Sequence, residues 1–239
     1  MPNPVTFLSH LQEHGYHPRS DKHSNALCEA IVHDLLDWCP RLREDAATGR
    51  LVYDLNFTIR PGTAEWNSDL VLGHAQLGTR PPDPALGIHH APPSTVLIAI
   101  EIKAVMTEHR KNVKNRKRDF EAHHEHVHNY NQQAVAGGVL IVNAADRFAS
   151  PLRLGGEATV HGNPTALVEH CIGQLRAVSS RGGATGYGLE AKCALVVSHD
   201  NIDNARSSYW TRPPAPAIGD PLHYDAFIQS ISTQYTQRF

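Results

Sequence analysis

The sequence predicts an α/β protein with a central sheet flanked by helices, and three observations predict it. Apolar runs of strand length recur between amphipathic helical stretches. One of them, Val139 to Val142, is wholly apolar, as in a strand covered on both faces. Their order reads α-β-β-β-α-β with α-β-α appended, and no internal repeat interrupts it. At 239 residues the chain can bury one substantial core, so a single domain over 1–239 is expected.

The first helix is expected over residues 21 to 39, with Leu27, Ile31, Leu35 and Trp38 on one stripe and Pro40 as the stop. From Leu51 to Ile59 apolar residues occupy the odd positions and mostly polar ones the even, the alternation of a strand with one wet face. Pro61-Gly62 turns the chain into a second strand carrying Asp69. Residues 74 to 94 then read as a long irregular loop, the kind that is often functional. Thr95 to Lys103 is a third strand. On it Glu101 and Lys103 share one side, while Val96, Ile98, Ile100 and Ile102 take the other. Thr107 is positioned to cap a polar helix to about Gln133, in which Val113, Phe120, Val127 and Ala134 recur every seven residues, a narrow buried seam. Gly137-Gly138 is expected to end that helix ahead of the apolar strand. A helix (164 to 178), a strand (192 to 198) and a last helix (221 to 236) complete the reading.

Composition excludes some functions and leaves others open. A formal net charge of −2 does not mark a nucleic-acid binder, yet an acidic cluster would cancel basic surface in that count. Cys28, Cys39, Cys171 and Cys193 are widely spaced without metal-ligand pairing, so buried reduced thiols and a cytoplasmic location are expected. No stretch approaches a membrane span and no leader pattern opens the chain, so neither membrane nor secretion is expected.

The chemistry concentrates in Asp69, Glu101 and Lys103. If the strand bearing Asp69 neighbours the one bearing Glu101, two hard oxygen ligands suited to Mg²⁺ converge with an ammonium beside them. The spacing alone also suits a turn acid and an exposed same-face pair. An acid inside the run from Val96 to Ile102 costs several kcal/mol if buried without a partner, and that favours a functional reading. Asp69, Glu101 and the backbone carbonyl of Ile102 are the expected Mg²⁺ ligands, with Mn²⁺ as a substitute, and Lys103 would orient water or stabilise charge on a phosphate.

These residues, in that element order, resemble the PD-(D/E)XK nuclease superfamily, which includes most type II restriction endonucleases. The resemblance covers about residues 21 to 143, the remainder reading as elaboration over 144 to 239. Ser68-Asp69 stands where the family has Pro-Asp, and Glu101-Ile102-Lys103 matches in full. It implies a restriction-endonuclease-like mixed sheet and a Mg²⁺-dependent endonuclease on double-stranded DNA acting as a homodimer. The alternatives are a non-specific repair, recombination or defence nuclease, and a catalytically silent DNA-binding protein. Many members add an acid from the first helix. Glu29 is the candidate here, with a solvated helix acid an equal reading and Asp54 and Glu108 as further contenders.

After the third strand come Arg110, Lys111, Lys114, Arg116, Lys117 and Arg118, expected to meet DNA phosphates unless they form only a solvated face. His124 and His128 are four apart on one helical face, yet with 17 histidines in the chain a surface cluster is the expectation, and zinc is not. Base reading is assigned broadly to residues 74 to 94, Ser179 to Gly186, and His199 to Pro216 with Arg206, Trp210 and Arg212.

Overall fold

The computed structural model describes residues 4–76, 87–153 and 157–239. Three helices open the chain: α1 (Val5–His14), α2 (Lys22–Trp38) and α3 (Pro40–Ala47). Leu27, Cys28, Ile31, Val32, Leu35 and Leu36 form the buried face of α2. Trp38 is 44% exposed, because the stripe passes to the fully buried Cys39 instead. Pro40 ends α2 as expected and also starts α3, since a proline costs nothing at the first helical position, and the Cys39 sulfur accepts the Leu42 N–H. Neither α1 nor α3 was expected from the sequence.

The sheet follows: β1 (Leu51–Ile59), β2 (Trp66–His74), β3 (His89–His90), β4 (Thr95–Val105), β5 (Val135–Asn143), β8 (Ala191–Ser198) and β9 (Ser208–Tyr209), ordered β3-β1-β2-β4-β5-β8-β9. It is mixed. β1, β2 and β4 run antiparallel to their neighbours in turn, whereas β4, β5 and β8 are mutually parallel. The expected 74–94 loop is shorter than predicted, because β3 pairs with β1; residues 77–86 of it lie outside the described residues. A hairpin of β6 (Arg147–Ala149) and β7 (Ala158–Val160) stands apart from the main sheet. Helices α4 (His109–Tyr130) and α5 (Pro164–Arg176) cover one face, and α1, α2, α3 and α6 (Tyr224–Arg238) cover the other. No helix among the described residues is long and apolar enough to cross a membrane.

The alternation expected on two strands breaks, for stated reasons. On β1, Tyr53 and Leu55 pack toward α2 while Phe57 and Ile59 pack toward α4, because Asn56 between them takes a left-handed φ of 53°. Asparagine tolerates that region better than most residues. On β4, Val96 joins the α4 face rather than that of Ile98, because the ladder with β2 shifts register between Leu72 and Gly73. Gly137 and Gly138, expected to end α4, lie inside β5. They are there for close approach: a Cβ at Gly138 would sit 2.8 Å from Leu189 and 3.0 Å from Phe120, and one at Gly137 would sit 3.0 Å from Ile231 on the other face.

The seam of α4 is wider than the heptad suggested. Val113, Phe120 and Val127 are joined by buried His109, His123, His124 and His128, so the histidine run is not a surface cluster. Thr107 does not cap the helix; Glu108 is the N-cap residue, at φ 49°, and makes no side-chain cap. The far end of α4 is tied down by a buried ionic network. Glu190 meets Arg238 at 2.9 Å and Arg181 at 3.5 Å, and its second oxygen accepts the Ala136 N–H. Arg238 also donates to the Ala134 and Gly183 carbonyls. On the opposite face Tyr224 and Tyr235 of α6 donate to Asp34 and Asp45, joining the last helix to α2 and α3.

Two glycines predict opposite outcomes. Gly138→Ala should destabilise the protein by about 1–3 kcal/mol through overpacking. Gly173→Ala, exposed in α5 with open space at its Cβ, should stabilise it by about 0.5–1 kcal/mol. Chemical denaturation of both variants checks the pair.

Candidate active site

The site sits where β2 parts from β4. The ladder between them runs from His74 and Thr95 only as far as Leu70 and Ile100. On the other side, the pairs Leu55–Leu70 and Phe57–Ser68 flank Asn56 and Asp69, which fall out of regular pairing. The left-handed turn at Asn56 is held from two directions: its side chain donates to Asn25 and Asp21 at the start of α2, and its carbonyl accepts from Asn67. Strand β4 therefore continues past Ile100 with one edge unpaired by β2.

Asp69 fills that edge. Its Oδ2 accepts the Ile102 N–H at 2.6 Å and lies 3.6 Å from the Lys103 Nζ. The Ile102 carbonyl shares the edge with its own N–H, since a strand residue directs both groups to the same neighbour. Ser68, fully buried beside Asp69, donates to the Leu70 and Ile100 carbonyls and so fixes the mouth of the fork. Lys103 forms a second ion pair with Glu101 Oε1. Asp69, Glu101 and Lys103 are thus brought together across two strands.

Glu101 is only 2% exposed, and its Oε2 is buried without a hydrogen-bond partner. Burial, and then the charge of Asp69, push its carboxyl up to about 8 against the pull of Lys103. Burial also raises Asp69, with Lys103 and the Ile102 N–H opposing it. Desolvation would lower Lys103, but the two carboxylates outweigh it and hold the ammonium above its ordinary value. The lysine is therefore a fixed positive charge rather than a base.

Behind Glu101 stands His123, which the sequence reading treated as surface. Its Nδ1 accepts the Trp66 indole N–H at 3.1 Å, and indole can only donate, so the ring proton is on Nε2, facing the Ala99 carbonyl at 3.3 Å. Burial drives this imidazole down to about 3, so it is neutral. Its Nδ1, whose one lone pair is taken by the indole N–H, lies 3.5 Å from Glu101 Oε2 and brings that oxygen no proton. Once Glu101 is ionised, that orphaned oxygen is thus turned toward a group that cannot satisfy it. A cation would. The hard donors at hand, Asp69, Glu101 and the Ile102 carbonyl, suit Mg²⁺ or Mn²⁺ in type. Among the described residues no group of three His, Cys, Asp or Glu side chains is placed to hold an ion.

Other expected residues fall elsewhere. Glu29 is exposed on α2 and lines a cavity of about 620 Å³ with His10, His14, His17, Lys22 and His23; no described hydrogen bond or ion pair joins it to the Asp69–Glu101–Lys103 cluster. Asp54 is engaged by His90 at 3.1 Å and Glu108 by Lys111 at 3.7 Å. The six basic residues divide. Lys111, Arg116 and Lys117 pair with Glu108, Asp119 and Glu121 on their own helix. Arg110, Lys114 and Arg118 are exposed and, among the described residues, have no ion-pair partner. Asp119, unnoticed in the sequence, lies close enough to raise both Glu101 and Lys103 electrostatically, and Arg116 is turned to it at 3.0 Å.

The pairing of His124 and His128 around zinc is not available. His128 accepts Arg181 at Nδ1 and donates from Nε2 to the Gly188 carbonyl, so both its nitrogens are committed. Arg181, in a segment considered for base reading, is buried in that contact. Arg206 pairs with Asp203, and Arg212 stacks 3.9 Å over Trp210.

The burial of Glu101 fixes a pH dependence. A carboxyl whose folded value lies above its ordinary 4.5 holds its proton more tightly in the fold, so stability falls as pH rises from about 4.5 to about 8. Thermal melts in EDTA should show that decline. Glu101→Gln should flatten it, and saturating Mg²⁺ should reverse most of it at the alkaline end. No protein-family model, curated protein or solved structure gives a significant match to this chain.

Proposed function

We propose that this chain is a Mg²⁺-dependent DNA endonuclease of the PD-(D/E)XK type, hydrolysing phosphodiester bonds in duplex DNA at specific sites as a homodimer. The convergence of Asp69, Glu101 and Lys103 at the fork between β2 and β4 carries this reading. The order α2, β1, β2, β4, α4, β5, with β1, β2 and β4 antiparallel and β5 parallel to β4, supports the restriction-endonuclease-like fold.

Each side chain has a chemical task in this reading. Asp69 and Glu101, with the Ile102 carbonyl, would hold the ion; when bound, it neutralises phosphate charge and acidifies water. Asp69 is kept in place by the Ile102 N–H, so a ligand oxygen is oriented before any substrate arrives. Lys103, held protonated by both carboxylates, donates to the attacking water or to a phosphate oxygen as charge develops there. Arg110, Lys114 and Arg118 recur every four residues on the exposed side of α4 and form a stripe that can follow a phosphate backbone.

Digestion of unmethylated plasmid DNA in Mg²⁺ tests the chemistry. Discrete fragments are expected, with Asp69→Ala and Lys103→Ala each reducing the rate by at least about 10²-fold, and EDTA abolishing it. A smear would replace site specificity with general nuclease action, and binding without cleavage would overturn the enzyme. The stripe has its own test. Replacing Arg110, Lys114 and Arg118 with alanine should lower the slope of log affinity against log salt by roughly 2.7, at about 0.9 per phosphate contact. Replacing the ion-paired Lys111, Arg116 and Lys117 should lower it less.

A further inference from the structure

We propose that His109 and His161 form a second metal site, one that takes a nitrogen-preferring divalent ion of the zinc type and clips the start of α4 to the β6–β7 hairpin. The two imidazoles come from separate elements and meet with ring centroids 4.8 Å apart and planes at 90°. His109 is 2% exposed and His161 6%. Each has one nitrogen engaged by a backbone carbonyl: His109 Nε2 by Asn143 at 2.7 Å, and His161 Nδ1 by Ala145 at 2.7 Å. A carbonyl can only accept, so those nitrogens carry the protons. The opposite nitrogens, His109 Nδ1 and His161 Nε2, are left as lone pairs, and both are buried with no partner.

A histidine whose far N–H is held by a carbonyl has the arrangement that orients metal-bound imidazoles. The spacing fits as well. With metal–nitrogen bonds of about 2.0–2.1 Å and a tetrahedral angle, two ring centroids fall about 5 Å apart. Burial lowers His109, which keeps its nitrogen free to coordinate. Both rings line a cavity of about 380 Å³ that leaves room for water on the remaining positions, and the Thr159 hydroxyl on its wall is another buried group without a partner. An oxygen-preferring ion such as Mg²⁺ is a poor match for two imidazoles. The proposal does not rest on the nuclease reading.

Side-chain isosteres separate coordination from folding. His109→Gln keeps a donor near the Nε2 position and His161→Asn one near Nδ1, while both remove the lone pair. Metal-free protein should take up one tightly held Zn²⁺ by equilibrium dialysis. Co²⁺ in its place should give visible bands of low coordination number. Each variant should weaken this class of binding by more than about 100-fold, while the metal-free variants melt with metal-free wild type. The pair His10 and His14 on α1, away from this cavity, is the control, and replacing both with alanine should leave the tight class intact. Long-range proton–nitrogen spectra of the unaltered protein should show His109 Nδ1 and His161 Nε2 shifting on Zn²⁺ addition, an outcome that needs no variant. Absence of tight uptake, unchanged affinity in both variants, or loss of the tight class with His10 and His14 would each overturn the site.

Discussion

The Glu101 carboxylate, inside the interface between a sheet and a helix, is the constraint around which this structure is arranged. A charge there is costly in proportion to its desolvation, and only a matched set of neighbours makes the position tolerable. Lys103 supplies a counter-charge two residues along the same strand face, and Asp69 doubles the negative charge that Lys103 must answer. That balance remains incomplete, because one Glu101 oxygen faces a neutral imidazole nitrogen that carries no proton and is already bonded to Trp66. A fold selected for stability alone would place an apolar residue here, as at Ala99 and Val105 on the same face.

Helix α4 has two faces with different duties. Its inner face uses imidazoles where a leucine would serve, and three of them, lowered by burial, are hydrogen-bonded to fixed carbonyls: Ala99 for His123, Gly188 for His128, Asn143 for His109. These contacts fix the helix's rotation and depth more tightly than apolar packing would, because a shift of an ångström breaks several directional bonds at once. The outer face carries the basic stripe. The position of that stripe relative to the carboxylates is therefore set by histidines on the buried side of the helix.

Much of this was legible in the sequence, and the parts that were not have physical causes. The strands with Asp69 and Glu101 and the heptad positions Val113, Phe120 and Val127 of α4 followed from apolar periodicity, because burial dominates those elements, whereas Ala134 lies past the end of the helix at Tyr130. The convergence of Asp69 with Lys103 followed from strand adjacency and face alternation. The alternation itself failed at Asn56 and at the Leu72–Gly73 shift, since a single residue of unusual backbone geometry reverses every face beyond it. Gly137 and Gly138 misled because close helix packing and chain breaking ask for the same residue. The buried histidines were hidden by their own ambiguity, since only the partner on each ring nitrogen tells a core imidazole from a surface one. A signal was nonetheless present: His123 and His124 lie three and four residues after Phe120, in phase with the seam.

The contacts of α6 have a consequence for how the protein comes into being. Its tyrosines close onto α2 and α3, and Arg238 closes onto Glu190 and the Ala134 carbonyl, pairings separated by up to 190 residues of chain. Until α6 docks, the apolar face of β5 and β8 that carries Val139, Ile141, Cys193 and Leu195 lacks its cover. An uncovered apolar sheet face is an aggregation hazard for as long as its long-range closure is pending. The fork that holds Asp69 closes over 33 residues of chain, whereas the tyrosines of α6 close over 190, so the site can form while the far face is still open.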